Sequence, residues 1–369
     1  MAEPLPTIYD VAQAAGVSIA TVSRALNSLD SVRPSTRAKV LRAMERLNFV
    51  PNANAQGLSN GKCWIIGLVF VHAPVTGDVL EVEGASLLYS DHVIRGAEAR
   101  AAANGYSLLL RGAGESRPAG MASLHSLTGT VDGLVLLDQV MPEADASDLA
   151  KRIPVVLLAG SGTAEGVTTI RVDNERSMRE LADHFVDVHG MTRGGFIAGL
   201  DASPDSVARE RAFRSRFVER GGEVRDVDVL HSDWTSIGAE HAMQARLAMG
   251  EPLPQVFACA NDQTAVGAIH ALQSRGVRVP ADVAISGFDD ITVTRYVKPS
   301  LTTIRQSGAV LGAAAVDALL AQLSDDAPAQ RDVVLPTTMV VRDSCGCSAS
   351  DDEGREMWTR VGAVAQVAP

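Results

Sequence analysis

The sequence predicts a small all-α head followed by an α/β core of two lobes, each built on a parallel sheet. Three observations lead there. Residues 7–47 carry apolar side chains at helical spacing, while from Trp64 onward short apolar runs alternate with helix-length segments. Charge divides at the same place: residues 1–62 hold seven Lys or Arg against four Asp or Glu, whereas the rest of the chain holds 26 basic and 40 acidic side chains. A basic head on an acidic body suggests a polyanionic partner for the head alone.

The head opens with "TIYDVAQAAGVSIATVSRALN", residues 7–27. Thr7 is placed to cap a first helix, with Asp10 three residues on to complement the exposed amides and Val11, Ala12 and Ala15 as its apolar stripe. Gly16 stops that helix. After the turn Gly16-Val17-Ser18, Ser18 caps a second helix that turns Val22, Ala25 and Leu26 inward and leaves Ile19, Ala20, Ser23 and Arg24 outward. Two helices joined by a tight glycine turn form a helix-turn-helix. A third helix, with Pro34 in its first turn and Val40, Leu41, Met44 and Leu47 at helical spacing, is expected to complete the core. In such a unit the start of the second helix enters the major groove, and basic side chains around it add sequence-independent affinity for phosphate.

The core follows from the runs "WIIGLVFV", "YSLLL", "VDGLVLL", "PVVLLAG", "GGFIAG", "QVFACA" and "DVAISG", which alternate with helical segments such as 91–104, 175–189 and 262–275. Continuous apolar runs mark strands covered on both faces, the signature of parallel sheets. Ligands of such sheets bind beyond the C-terminal strand ends. Asp138, Arg209, Asn261, Asp262, Asp289 and Asp290 stand at or just after those ends; each alone reads as a helix cap or solvated loop residue, but together they mark a site.

The bulk numbers exclude other classes. The chain has 369 residues, 46% hydrophobic and 21% charged, which suits two or three domains. It lacks a run of about eighteen apolar residues and begins without a signal-peptide layout, so a cytoplasmic location is expected, with no membrane partner. No G-x-x-x-x-G-K-[ST] occurs and "RGAGESRPAG" lacks the remaining glycine spacing, so neither catalysis nor a cofactor is expected. An exported transport binding protein would have no use for the basic head. Four cysteines, Cys63, Cys259, Cys345 and Cys347, and eight histidines show no metal-ligand spacing, so the cysteines are expected to remain thiols and no metal site is expected; Cys345-Gly346-Cys347 is the one exception, read as an exposed turn in preference to a redox or metal site.

The opening stretch, continued by "VRPSTRAKVLRAMERLNFVPNANAQGLSNGK", closely resembles the head of the lactose-repressor (LacI/GalR) family of bacterial transcription regulators. The resemblance continues over the body to about Ser344, through "SVARERAF", "CANDQTAVGA", "ISGFDD" and "PSLTTIRQ", and implies a periplasmic-binding-protein-like core. It implies a DNA-binding domain over 1–50, a hinge helix and linker over 51–62, and an effector-binding and dimerisation domain over 63–345. Lobe one would span about 63–165 and 305–332, lobe two about 166–304 and 333–345, and 346–369 would be a weakly ordered tail without leucine heptads.

By that resemblance Ile19, Ala20 and Arg24 read bases, with Tyr9, Ser18, Thr21, Ser23 and Asn27 as supporting or phosphate contacts, and Leu58 wedges into the minor groove from the hinge. Gly57, directly before Leu58, lowers the helix propensity of that hinge by about 1 kcal/mol. Arg209, Asn261 and Asp289 would hydrogen-bond a sugar-like effector, Trp234 would stack on its face, and Asp173 and Asp138 would line the cleft. Two features depart from the family: a longer loop over 72–90, and Ala159 where some relatives carry a sugar-contacting acid. The implied function is a homodimeric repressor on a pseudo-palindromic operator in the bacterial nucleoid, released by a sugar or sugar phosphate. A corepressor-dependent regulator responding to a nucleobase or other metabolite is the alternative.

Overall fold

The computed structural model describes residues 6–27, 32–49, 62–71, 88–113, 124–137, 140–324 and 332–347. Leu58 and the hinge, Asp138, most of the longer loop, the tail beyond 347 and the side chain of Asn27 lie outside the described residues. Two compact units separate: one holds the N-terminal helices and ends at Ile65 with 130–132, the other holds both sheets.

In the head, α1 (Ile8–Ala15), α2 (Ile19–Asn27) and α3 (Pro34–Leu47) form as the caps dictate. The Asp10 carboxylate accepts from the Thr7 N–H and hydroxyl, both at 2.7 Å, and these bonds hold its pKa below the usual carboxylate range. Gly16, at φ 66, ends α1 in the left-handed conformation, and the Val17 N–H reaches back to the Ala12 carbonyl. The Thr21 N–H donates to Ser18 Oγ at 3.2 Å, starting α2. Val11, Ala12, Val22, Ala25, Val40 and Ala43 close the core. Leu41 is the exception to the expected stripe: it is 43% exposed, because it lies about 100° around the helix from the buried Val40, whereas Ala43, three residues on, returns to the same face.

The second unit carries two six-stranded sheets. Its elements are β1 (Ile65–Val71), α4 (Leu88–Ala103), β2 (Ser107–Ala113), β3 (Gly133–Leu136), α5 (Glu143–Ala150), β4 (Val155–Leu158), β5 (Thr168–Val172) and α6 (Asn174–Asp183). Then come β6 (Arg193–Ile197), α7 (Pro204–Glu219), β7 (Glu223–Leu230), α8 (Ser236–Ala248), β8 (Val256–Cys259), α9 (Asp262–Ser274), β9 (Ala284–Asp289), β10 (Thr302–Arg305), α10 (Gly308–Gln322), β11 (Asp332–Leu335) and β12 (Thr338–Val340). The strand orders are β11-β5-β4-β3-β1-β2 and β12-β10-β9-β8-β6-β7. Among the described residues of the second sheet, only β12 runs antiparallel, against β10.

Strands β3, β4 and β8 are buried at every position, which is why their sequences read as unbroken apolar runs. Strands β5 and β7 escape such a reading. β5 is "TTIRV", and β7 is an edge strand whose pattern alternates between exposed and buried. The chain accordingly crosses between sheets later than expected. β5 pairs with β4, and β11 pairs with β5, so residues 168–172 and 333–335 belong to the first sheet rather than to lobe two. Helix α10 packs on α4 at glycine contacts; a Cβ on Gly96 would stand 2.0 Å from the Ala309 carbonyl oxygen.

Candidate functional site

The exposed face of α2 is built by its period. With Val22 and Ala25 buried, Ile19 (40% exposed), Ala20 and Arg24 face solvent, and Tyr9 joins them at 68% exposure. Ser18 Oγ and Thr21 Oγ1 lie 2.8 Å apart at the start of α2, where unpaired amides favour phosphate. The Arg24 Nε donates to the Ala20 carbonyl at 3.1 Å; the two terminal guanidinium nitrogens form the pair that suits the guanine N7 and O6 acceptors. Ser23 is half-buried.

A second cluster forms at the C-terminal ends of β6, β8, β9 and β10, beside the point where strand order reverses between β6 and β8. Its hub is Arg209 on α7, 2% exposed. The guanidinium donates to Asn174 Oδ1 (2.8 Å), the Ala260 carbonyl (2.7 Å) and Asp205 Oδ2 (3.1 Å). It lies 3.6 Å above the Phe288 ring and 5.8 Å from the Trp234 ring. Asn174 also donates to Asp205 Oδ1 at 2.8 Å, closing a loop of three side chains.

Asp289 sits in this cluster at φ 114 and accepts from Gln306 Nε2. Burial pushes its pKa up to about 7, while the nearby Arg209 charge and the Gln306 bond hold it down. Asp205 is raised for the same reason, with Arg209 and Asn174 opposing. Trp234, at φ 72, is another non-glycine residue in the left-handed region, and its ring lies so near Gly199 that a Cβ there would approach to 2.4 Å. Strained backbone of this kind concentrates at binding sites.

The structure thus brings Arg209, Trp234, Asn261 and Asp289 together, and it also shows what each already does. Asn261 caps α9 by accepting the Thr264 N–H at 2.8 Å and donates to the Trp234 carbonyl at 3.1 Å. Asp173 caps α6 through the Arg176 N–H, one residue before Asn174. Asp262 and Asp290 belong to the scaffold: Asp262 accepts from Thr303 Oγ1 and the Ile291 N–H, and Asp290 holds Arg305 and Arg342. Sequence reasoning missed Asn174, Asp205, Phe288 and Gln306. Only Asp205 left a local signal, standing four residues before Arg209 on one helix.

Among the described residues no helix is long and apolar enough to cross a membrane. Residues 7–52 match the family of bacterial regulatory proteins, lacI family, and residues 182–345 match the periplasmic binding protein-like domain. The chain is 30% identical to catabolite control protein A of Priestia megaterium over 92% of this chain and 98% of that one. Among solved structures it resembles the Lac repressor dimer bound to operator and the anti-inducer ONPF (TM-score 0.79, 28% identity, covering 93% and 99% of the two chains). It also resembles the transcriptional regulator CelR in complex with cellobiose (TM-score 0.68, 26% identity, covering 92% and 99%). These relatives are transcription regulators and not enzymes. With the helix-turn-helix head, the two parallel sheets and this similarity over nearly its whole length, the chain belongs to the LacI family of DNA-binding transcriptional regulators.

Proposed function

We propose that the protein is a homodimeric repressor that reads a pseudo-palindromic operator and leaves it when a small sugar-like molecule binds the body. The observation that carries this is the Arg209 cluster: a buried guanidinium, two carboxylates, three amides and an indole converge at the C-terminal ends of β6, β8, β9 and β10. A flat ring beside paired donors and acceptors is the chemistry that holds a polyhydroxylated ring. The cellobiose complex of the CelR regulator supports the same ligand class. In this reading residues 51–62 are the hinge, Leu58 wedges into the operator minor groove, Asp138 and Asp173 line the cleft, and binding between the lobes separates paired hinges.

Operator affinity measured at fixed salt, with and without a panel of sugars, sugar phosphates and nucleobases, tests the reading. A sugar is expected to weaken operator binding, and operator to weaken sugar binding by the same factor. A nucleobase that instead tightens operator binding overturns it in favour of a corepressor.

At the DNA end, Arg24→Ala is expected to relax preference at one base pair per half-site by about 1–3 kcal/mol, while Lys39→Ala weakens all sequences alike. Binding profiles across an operator library separate the two. Uniform loss in Arg24→Ala would show that α2 is not the reading helix.

A further inference from the structure

Two histidines and two cysteines that are far apart in sequence meet at the other end of α6. The ligand atoms of His184, His189, Cys345 and Cys347 all lie within 4.8 Å of one another. We infer that these four side chains form a tetrahedral Cys2His2 site for a zinc ion, which fastens the C-terminal end of the core to the end of α6. The expected exposed turn at Cys345-Gly346-Cys347 is corrected by the structure, in which Cys345 is 1% exposed and Cys347 only partly exposed.

Three of the separations fit the metal, and the Cys345 thiol, which donates to the Arg342 carbonyl at 3.2 Å, would give up that bond to ligate as a thiolate. Zinc takes sulfur at about 2.3 Å and imidazole nitrogen at about 2.0–2.1 Å, so the edges of its tetrahedron measure about 3.3 Å between two nitrogens and about 3.6 Å between nitrogen and sulfur. His184 Nε2 and His189 Nε2 are 3.3 Å apart. Cys347 Sγ stands 3.5 Å from His189 Nε2 and 3.9 Å from His184 Nε2. Two thiolates with two imidazoles select zinc over magnesium or calcium, which prefer oxygen.

Backbone geometry explains how these ligands converge. Residues five apart on an α-helix stand about 140° apart around its axis and cannot share a metal. From His184 to Val188 the chain leaves α6 as a π-helical turn, whose wider winding brings positions five apart onto one face, and the two imidazole rings come to 4.9 Å between centroids. On the other side Gly346, at φ 101, reverses the chain between the two thiols. The turn is anchored by Ser344, whose hydroxyl donates to the Ile285 carbonyl and accepts the Thr302 N–H.

Two ligands are buried, and His189 and Cys347 are partly exposed, which leaves a path for the ion to enter. The role is structural, because four protein ligands leave no open coordination position for chemistry. The ion would join residues on opposite sides of more than 150 positions of chain, at the end of α6 remote from Asn174.

Metal analysis of the full-length protein, purified in reductant without chelator, tests this. One zinc per chain is expected. Cobalt(II) exchanged into the site should give the intense visible ligand-field bands and thiolate charge-transfer absorption of a tetrahedral site. Cys347→Ser and His189→Gln, both at the rim and therefore compatible with folding, should each weaken zinc by at least about tenfold. Cys63→Ser should leave loading unchanged. Zinc should raise the unfolding temperature of the parent and not of Cys347→Ser. Absence of stoichiometric zinc together with absence of the cobalt spectrum overturns the site, and so does loading that survives both rim substitutions.

Discussion

Replacing Arg209 with alanine is expected to abolish the effect of ligand on operator binding. For a typical coupling of about 1–3 kcal/mol, that is a loss of roughly 5-fold to 150-fold modulation. The side chain touches Asn174, Ala260, Asp205 and the Phe288 ring, so its removal dismantles the cluster rather than one contact. It also changes protonation. The Arg209 charge opposes the upward pull of burial on both Asp205 and Asp289, so both pKa values rise further without it. With Asp289 already at about 7, the variant would hold a neutral acid at neutral pH, and a hydroxyl that needs a carboxylate acceptor would lose it. Asp289→Asn, which keeps shape and removes charge, should show the same loss of response. Operator titrations with and without ligand at one salt concentration measure it, and free-protein operator affinity should stay near the parent value because neither residue lies in the head. Full ligand response in both variants would move the binding site elsewhere.

Replacing Asp228 with alanine should destabilise the body by about 3–5 kcal/mol, because it leaves a buried charge without its partner. Arg246 on α8 is completely buried, with its Nε 2.9 Å from Asp228 Oδ1. Asp228, on β7, also accepts from Arg225 Nε at 2.8 Å. Once the carboxylate is gone, the Arg246 guanidinium keeps only the carbonyls of Glu251 and Pro252. Urea unfolding followed by tryptophan fluorescence reads the change. The double variant Asp228→Leu, Arg246→Met should recover most of the loss, since apolar groups of similar volume carry no desolvation cost. A single variant as stable as the parent would show that water reaches Arg246.

The sequence by itself determined what depends on neighbours a few residues away. Thr7 with Asp10, Gly16 and Ser18 set the ends of α1 and α2, and the period of Val22 and Ala25 fixed which face of α2 meets solvent. The apolar runs of β3, β4 and β8 were legible because a strand buried on both faces needs apolar side chains at every position. Only the tertiary structure decided the rest. Edge strand β7 shows one face to water and so alternates, β5 hides in "TTIRV", and Leu41 yields its inward place to Ala43. Arg209 could be singled out in sequence, and Asp205 stands four residues before it on α7, but its other partners come from α6 and the ends of β8 and β9, and no spacing along the chain encodes those distances. The same holds for His184 and His189, which α-helical geometry would turn apart and the π-helical turn brings together, facing two thiols delivered from the far end of the core. Caps and periods are local free-energy choices, whereas a site assembled across strands exists only after the sheets have ordered their ends.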